Sequence, residues 1–342
     1  MSPLLLSDAI EDYVRYRRTA YKKATATASE QSLRQFLAVT GNIQTKALMP
    51  RHAERFQTTM LTAGKKPATV NNRMSQLSAF SNWLVSNRYT PARFTGTVRM
   101  IPVPPKAKLR VPVQDFERLL DSTDRPDRRI TVALGLYMFL RGGEIRTLKV
   151  GDVRLDEAKI DVVIHKTNQL DEMPICWELD QELRRWFVAY AEDLGRPLDR
   201  NDYLVPAHHR FPGWLERPKT GNYQPHKMVL RPFHHVQQVL DAAGYPVRDE
   251  GKLNGEGVHT LHRSGARALY DALVEGRLGD PSARDDVLRQ VMSALHHSSI
   301  TITEMYIGLE RDRQKRDKTL AGIRFLPQTA ENVVELRKVS EA

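Results

Sequence analysis

The sequence predicts a mainly α-helical chain with a small β-sheet, arranged as two folded parts. The chain has 342 residues, of which 41% are hydrophobic, so it is long enough to bury two separate cores. Apolar residues recur at helical spacing in most of the chain, whereas a strand-like alternation is found at residues 158–166. A basic stretch with five prolines, residues 91–112, separates the two parts.

The N-terminal part is predicted to form a small helical domain. Ser7 is a favourable N-cap, and Pro50 and Pro67 suit the first turn of a helix. Gly41 and Gly64 are typical of residues that follow the end of a helix. The helices predicted in this domain, which comprises residues 1–90, span residues 7–23, 27–39, 50–63 and 67–87.

A linker, a second domain and a tail are predicted to follow. Residues 91–112 combine prolines with scattered lysines and arginines, which predicts an extended basic linker. The second domain is assigned residues 113–309, and the tail residues 310–342. The tail begins with a charged run and contains one short amphipathic segment, residues 331–339, for which we expect a helix.

The second domain is predicted to be α+β. Residues 129–140 are almost continuously apolar and predict a buried helix, while residues 158–166 and 172–175 predict a pair of strands. Residues 196–226 show no clear period, so we expect a long ordered loop there. The helices predicted in this domain span residues 113–122, 129–140, 179–194, 232–243, 258–274 and 285–295.

Positive charge is concentrated in the N-terminal third of the chain. Residues 1–110 carry 18 Lys and Arg against 5 Asp and Glu, whereas the remainder carries 34 against 36. This asymmetry indicates that the first part lies on a polyanion, although a basic surface that only confers solubility has the same composition. A membrane surface is disfavoured because no basic amphipathic helix with an aromatic face is found.

The composition also excludes several classes of protein. Cys176 is the one cysteine, which excludes a disulfide framework and a cysteine-based metal site. The sequence has no signal-peptide pattern and no apolar run near 18 residues, so we expect a soluble cytoplasmic protein.

Polar and basic residues cluster around the last predicted helix of the N-terminal domain. Lysine and arginine suit phosphates, and asparagine, glutamine and arginine can read base edges. A helix face that is merely solvated remains the alternative for each residue. The candidates for DNA binding are Lys65, Lys66, Asn71, Asn72, Arg73 and Gln76.

Four short motifs follow one another in the second domain. They are FLRGGEI with Arg141, HKTNQ with Lys166, VHTLHRSGAR with His259, and HHSSITITEMY with His297 and Tyr306. Because they occur in this order after a basic helical domain and a linker, the chain resembles the tyrosine site-specific recombinases, the phage integrase family. The resemblance covers about residues 5–310.

The resemblance implies a role for each motif residue, and the chemistry of a phosphodiester explains the choice. Arg141 would grip the scissile phosphate, because a guanidinium fork binds two phosphate oxygens and faces the charge of the transition state. Lys166 would donate a proton to the leaving 5′-oxygen. Tyr306 would attack the phosphate with support from His259 and His297.

The motif around His259 departs from the family pattern, in which an arginine follows three residues later. That position holds His262, while Arg263 is its neighbour and Arg267 lies one turn further along the helix. Three interpretations are open. Arg263 is the second catalytic arginine, His262 fills the site as a weaker donor, or the substitution damps catalysis by about 100-fold.

Two neighbours of the motif residues are given no catalytic role. The resemblance implies that Glu144 orders the loop around Arg141 by hydrogen bonding. His296 stands where the family often has glycine. His296 and His297 are adjacent, so their side chains point apart, and no metal site is expected.

The resemblance also implies a fold, partners and a reaction. The N-terminal helices would form a core-binding, SAM-like domain, and with the catalytic domain they would make a C-shaped DNA clamp. The family forms a 3′-phosphotyrosine and exchanges strands through a Holliday junction within a homotetramer on double-stranded DNA attachment sites. No cofactor, neither metal nor ATP, is needed.

Finer expectations follow for the biological setting. We expect a phage-type integrase that serves DNA integration, including viral genome integration, in a bacterial host cell. It would be monomeric when free of DNA, would lack an arm-binding domain, and would respond to a directionality factor. In relatives, segments after the tyrosine pack on a neighbouring protomer, which is a hypothesis for residues 310–342.

The same motifs are compatible with other functions. A type IB topoisomerase-like strand relaxer shares the chemistry, and integrase and dimer resolvase are not distinguished by these motifs. From a different class, a DNA-binding relative with weakened catalysis is favoured by His262, whereas Arg141, Lys166 and Tyr306 argue against it.

Overall fold

The chain divides into two compact units, Met1–Ala107 and Lys108–Ala342, each with an apolar core. The structure is a computed structural model. It describes residues 4–104, 108–165, 168–209, 219–249, 252–253, 255–277 and 282–309.

The first unit is built from four helices, as the sequence predicts. They are α1 (Leu6–Ala20), α2 (Lys23–Thr40), α3 (Pro50–Thr62) and α4 (Pro67–Ser86). Gly41 follows α2 with a φ of 81°, a conformation that glycine adopts without strain. Ser7 is not the N-cap of α1, because it lies inside the helix and its backbone N–H donates to Asn42 Oδ1.

Part of the stretch predicted as a linker packs on the first unit. Phe94 is buried in its core, stacked on Phe36 at a centroid distance of 5.6 Å. The side-chain amide of Asn71 on α4 donates to the carbonyl of Ile101 and accepts from its N–H, at 2.8 and 2.9 Å. These contacts attach residues 94–101 to the helical unit.

The second unit is α+β. Its helices are α5 (Phe116–Asp121), α6 (Pro126–Tyr137), α7 (Gly142–Thr147), α8 (Trp177–Leu194), α9 (Pro232–Ala242), α10 (Val258–Glu275), α11 (Ala283–Ala294) and α12 (Ile300–Ile307). An antiparallel sheet has the order β1 (Val153–Arg154), β2 (Lys159–Ile164) and β3 (Gln169–Pro174). Two ribbons pair β4 (Pro206–His208) with β5 (Tyr223–Met228) and β6 (Arg248–Asp249) with β7 (Lys252–Leu253).

Helix α6 is the central element of the second unit. Its residues 130–136 are all buried, and it packs against α8, α9 and α10. It begins at Pro126 and ends at Tyr137, about three residues earlier than the predicted helix, because Phe139 adopts a φ of 55°. The residues after α6 therefore form a turn that leads into α7.

Other predicted elements differ in extent. The stretch 196–226 is not a continuous loop, because its described residues include β4 and part of β5. The short helix α12, which contains Tyr306, was not predicted. The tail helix expected at residues 331–339 lies outside the described residues.

Helices long and apolar enough to cross a bilayer are absent from the described part of the chain.

A close crossing of α6 and α10 predicts the effect of one substitution. A Cβ at Gly265 on α10 would overlap the carbonyl oxygen of Leu136, so Gly265→Ala forces the helices apart. We expect a loss of about 3 kcal/mol in the free energy of unfolding, measured by urea denaturation. Gly276→Ala is the matched control, since nothing lies nearer than 3.9 Å to the added Cβ. Equal stability of the two variants would contradict the crossing.

Candidate active site

Arg141 stands at the start of α7, where its side chain is fixed by two contacts. Its Nη1 lies 3.3 Å from Glu144 Oε1, and its Nη2 donates to the carbonyl of Leu295, at the end of α11, at 3.2 Å. The backbone N–H of Arg141 donates to Glu144 Oε2 at 2.7 Å, so the buried carboxylate caps α7 as well. A quarter of the Arg141 side chain remains exposed.

The two glycines after Arg141 allow close packing around this turn. A Cβ at Gly142 would touch Pro232 on α9, and one at Gly143 would lie 3.2 Å from the ring of His165. His165 Nε2 is 2.9 Å from Thr147 Oγ1, which joins α7 to the end of β2. The Gly-Gly pair therefore brings the arginine turn against the β2–β3 hairpin.

Helix α10 contributes two imidazoles, His259 and His262, one turn apart. Their ring centroids are 6.4 Å apart. The His262 side chain is 1% exposed, and among the described residues neither ring nitrogen makes a hydrogen bond of good geometry, although the carbonyl of Phe139 is a polar neighbour. A buried polar group without a partner is unfavourable for folding, so this ring is a candidate for a functional role.

Helix α12 places Tyr306 against α10, which carries His259 and His262, and against His297, which follows the end of α11. Its ring meets His262 and His297 edge to face, at centroid distances of 4.9 and 5.1 Å. Its hydroxyl oxygen lies 3.5 Å from Nδ1 of His259. Thr303 Oγ1, 3.1 Å from Nδ1 of His297, holds that imidazole toward α12. Three imidazoles thus surround the phenol.

His262 is buried, Tyr306 is half-buried and His259 is exposed, and the titrating groups of the site respond to these surroundings. Burial raises the pKa of Tyr306 to about 12, although the charges of Arg263, Arg141 and Arg110 act in the opposite direction. Burial, followed by the charges of Arg263 and Arg141, lowers the pKa of His259. The phenol is therefore protonated, and the nearest imidazole neutral, at neutral pH.

His262 is held neutral more firmly still. Burial lowers its pKa well below the usual value, and the charge of Arg141 acts in the same direction. The carbonyl of Phe139 offsets a part of this effect. An uncharged imidazole can accept a proton or donate one hydrogen bond, but it cannot supply a fixed positive charge.

Arg263 is engaged on the side of α10 that faces the start of the second unit. Its Nη2 lies 2.5 Å from Glu256 Oε2 and 3.1 Å from the carbonyl of Leu109. Arg267 pairs with Asp271 at the surface. Of the three candidates for the second-arginine position, it is His262 whose ring contacts Tyr306.

The remaining sequence-predicted residues are placed as follows. Lys166 lies outside the described residues, although the neighbouring pair Ile164 and Gln169 closes the β2–β3 ladder. His296 Nε2 lies 3.4 Å from Asp171 Oδ2, away from the phenol. Within the described ranges, no cluster of three or more His, Cys, Asp or Glu side chains has the arrangement of a metal site.

One residue at this site was missed by the sequence reasoning. Arg110 donates from Nη2 to the carbonyl of Tyr306 at 2.9 Å, and it belongs to the stretch predicted as a linker. No motif spacing could have revealed it, because the two residues are 196 positions apart.

The six candidates for DNA binding divide into two groups. Lys65, Lys66 and Asn72 are exposed. The others are half-buried and hydrogen-bonded within the unit: Asn71 to Ile101, Arg73 to Ser32, and Gln76 to Ser29.

The four-helix unit followed by the α+β unit has the fold of tyrosine recombinase structures, so the fold class predicted from the sequence is confirmed. No protein-family model and no curated protein sequence matches the chain.

Similar solved structures cover nearly the whole chain. The lambda integrase dimer bound to a COC′ core site has a TM-score of 0.63 at 12% identity, covering 96% of this chain and 81% of that one. The Tn1549 transposon integrase with a circular intermediate DNA has a TM-score of 0.65 at 13% identity, covering 92% and 99%. The lambda integrase tetramer bound to a Holliday junction has a TM-score of 0.63 at 12% identity, covering 89% and 78%.

The burial of the His262 ring predicts an unusual effect on stability. In His262→Leu an apolar side chain replaces a buried imidazole that makes no hydrogen bond of good geometry within the described residues, so we expect unfolding to cost about 1 kcal/mol more at about pH 8. In the parent chain the unfolded state takes up a proton below the ordinary histidine pKa while the folded state does not, so its stability decreases as pH falls below about 6.5. The variant has no imidazole at this position, so its stability does not fall with pH for this reason.

Urea denaturation at about pH 8 and about pH 5.5 measures both effects, and the advantage of the variant should grow at the lower pH. If His262→Leu is less stable than the parent chain at both pH values, the ring is satisfied in the folded protein and the interpretation is wrong.

Proposed function

We propose that the chain is a tyrosine site-specific DNA recombinase that cuts and rejoins DNA through Tyr306. The observation that carries this proposal is the position of the phenol, edge to face with His262 and His297 and 3.5 Å from His259. Arg141 approaches the same cluster from α7. Its charge is among those that lower the pKa of the phenol, which supports its closeness to Tyr306.

The proposed reaction needs no oxidant and no energy source. The hydroxyl oxygen of Tyr306 attacks the phosphorus, a 3′-phosphotyrosyl bond forms, and the bond from phosphorus to the 5′-oxygen breaks. The phenolic proton passes to a neutral imidazole, and the 5′-oxygen receives a proton from Lys166, the residue that the sequence motif suggests. A 5′-hydroxyl of the partner strand reverses these steps, so the phosphodiester is restored.

His259 is the best placed acceptor for the phenolic proton. Its Nδ1 lies 3.5 Å from the Tyr306 hydroxyl, and its lowered pKa keeps the imidazole neutral before the reaction, so one ring nitrogen is able to accept a proton. Arg141 would hold the phosphate oxygens, since its guanidinium is fixed by Glu144 and the Leu295 carbonyl before DNA arrives.

His262 would occupy the place of the second arginine. Because its ring is neutral, it offers one hydrogen bond to the transition state where an arginine would offer a charged fork. The loss of such a donor costs about 100-fold in rate. We therefore expect slow cleavage, with Arg263 acting on the site through its charge and not through direct contact.

The DNA partners are proposed by analogy with the similar structures. Those structures hold a dimer on a core site, a tetramer on a Holliday junction, and an integrase with circular intermediate DNA. By this analogy the chain binds double-stranded attachment sites, assembles as a homotetramer and exchanges strands through a Holliday junction. A phage-type integrase in a bacterial host, with a directionality factor and a free monomer, is the form that we propose.

A second function is favoured by one observation. A neutral His262 beside Tyr306, with Arg263 tied to Glu256, leaves one fewer cation in contact with the phenol than the family pattern implies. The chain would then be a DNA-binding relative with little cleavage activity.

Covalent trapping distinguishes the two functions. A nicked suicide duplex, carrying a site selected from random DNA by binding to the protein, is incubated with the chain and with Tyr306→Phe and His262→Arg. We expect a phosphotyrosyl adduct that is lost in Tyr306→Phe and forms about 100-fold faster in His262→Arg. The adduct is measured by its retarded migration under denaturing conditions.

Other outcomes of the trapping experiment identify a different function. An adduct from His262→Arg alone identifies a DNA binder disabled by one residue. An adduct that persists in Tyr306→Phe overturns the proposal. Multi-turn relaxation of supercoiled DNA without strand exchange would assign the chain to topoisomerase-like relaxers.

The exposed lysines of the first unit predict a change in salt dependence. If Lys65 and Lys66 each contact a phosphate, the double variant Lys65→Ala, Lys66→Ala should lower the slope of log K against log salt by about 1.8. Fluorescence anisotropy with the selected site measures this slope. Lys46→Ala, which removes an exposed lysine elsewhere in the same unit, should leave it unchanged. Equal slopes for all proteins would remove these lysines from the interface.

A further inference from the structure

Residues Leu109–Val111 pack along α10 and are held there by hydrogen bonds of their backbone. The N–H of Val111 donates to Ser264 Oγ at 2.8 Å. The carbonyl of Leu109 accepts from Arg263 Nη2 at 3.1 Å, and Arg263 is paired with Glu256. The backbone is thus held on both sides of residue 110.

The side chain of Arg110 extends from this segment to the C-terminal end of α12. Its Nη2 donates to the carbonyl of Tyr306, and its guanidinium lies against the Cα of Gly308. Gly308 ends α12 in a left-handed conformation with a φ of 83°. A Cβ at this position would come within 2.5 Å of the guanidinium carbon of Arg110, so glycine is needed for the approach.

We propose that Arg110 is a positioning residue for the nucleophile, which holds the end of α12 and thereby fixes Tyr306 toward His259 and His262. This inference rests on the proposed function of Tyr306 as the nucleophile. The inference also assigns Arg263 a role other than phosphate binding, because Arg263, paired with Glu256, holds the carbonyl of Leu109, the residue before Arg110.

Two physical effects make the contact important. A cation at a helix C-terminus stabilises its unpaired carbonyls, so Arg110 supports a helix of 8 residues that has little stability of its own. The same charge favours the phenolate. Among the described residues, the titrating and charged groups around the phenol are Arg110, Arg141, Glu144, His259, His262, Arg263 and His297.

The test compares Arg110→Ala and Arg110→Lys with the parent chain. Lys108→Ala is the matched control, because it removes an exposed cation two residues away. Single-turnover adduct formation on the suicide duplex is followed from about pH 6 to about pH 10, and DNA affinity is measured separately. The NMR signal of isotope-labelled Tyr306, assigned by its loss in Tyr306→Phe, reports the ring environment in the free protein.

We expect Arg110→Ala to bind DNA with unchanged affinity and to form the adduct about tenfold more slowly, which corresponds to about 1.4 kcal/mol. The pH dependence of its rate should move to higher pH, because the phenolate has lost a nearby cation. Arg110→Lys should recover most of the rate. The Tyr306 signal should shift in Arg110→Ala and stay in place in Lys108→Ala.

The inference is overturned if Arg110→Ala keeps the parental rate, pH profile and Tyr306 signal. It is also overturned if the rate falls without a change in pH profile and lysine does not rescue it, which indicates a general loss of structure. If neither the parent chain nor His262→Arg forms an adduct, the proposed function of Tyr306 fails. The NMR signal then still decides whether Arg110 positions the Tyr306 ring.

Discussion

The close crossing of α6 and α10 is the constraint on which the arrangement of the site depends. The crossing is possible because Gly265 has no side chain where α10 meets the Leu136 carbonyl, and Gly135 faces Leu261 in the same way. It sets His262 of α10 beside the turn that follows α6. Phe139 reverses the chain there with a positive φ, and Arg141 begins α7 immediately afterwards. The packing of the central helix therefore also determines where the candidate catalytic residues lie.

The same burial that assembles the site determines its electrostatics. A phenol with a pKa of about 12 and two imidazoles with lowered pKa values form an uncharged centre, surrounded by guanidinium groups held at a distance by carboxylates and carbonyls. This arrangement leaves His262 buried and, among the described residues, without a hydrogen bond of good geometry, a form of local instability that is common at functional sites.

The sequence predicted the elements whose patterns are local. Pro50 and Pro67 mark the starts of α3 and α4, and the apolar periodicity of α4 predicts its length. The helix α12 was missed because Ile-Thr-Ile-Thr favours a strand, and the contact with α10 and α11 overrides that preference. Neither the pairing of Asn71 with Ile101 nor that of Arg110 with Tyr306 could be predicted, since each joins residues distant in the chain.

In the proposed mechanism, a histidine at position 262 in place of arginine changes which residues supply positive charge to the phosphate. In the family pattern a second arginine guanidinium would lie on α10 next to the nucleophile. Here the position on α10 is neutral, and the nearby cations besides Arg141 come from Arg263 and from Arg110, which acts through the backbone of α12. Because these groups are fixed by hydrogen bonds to carbonyls and by Glu256, their charge requires no rearrangement when the transition state forms. Such a site would bind the phosphate more weakly than one with two arginines and would rely more on the orientation of the nucleophile. The rate of cleavage would therefore depend on how firmly α12 is held in place.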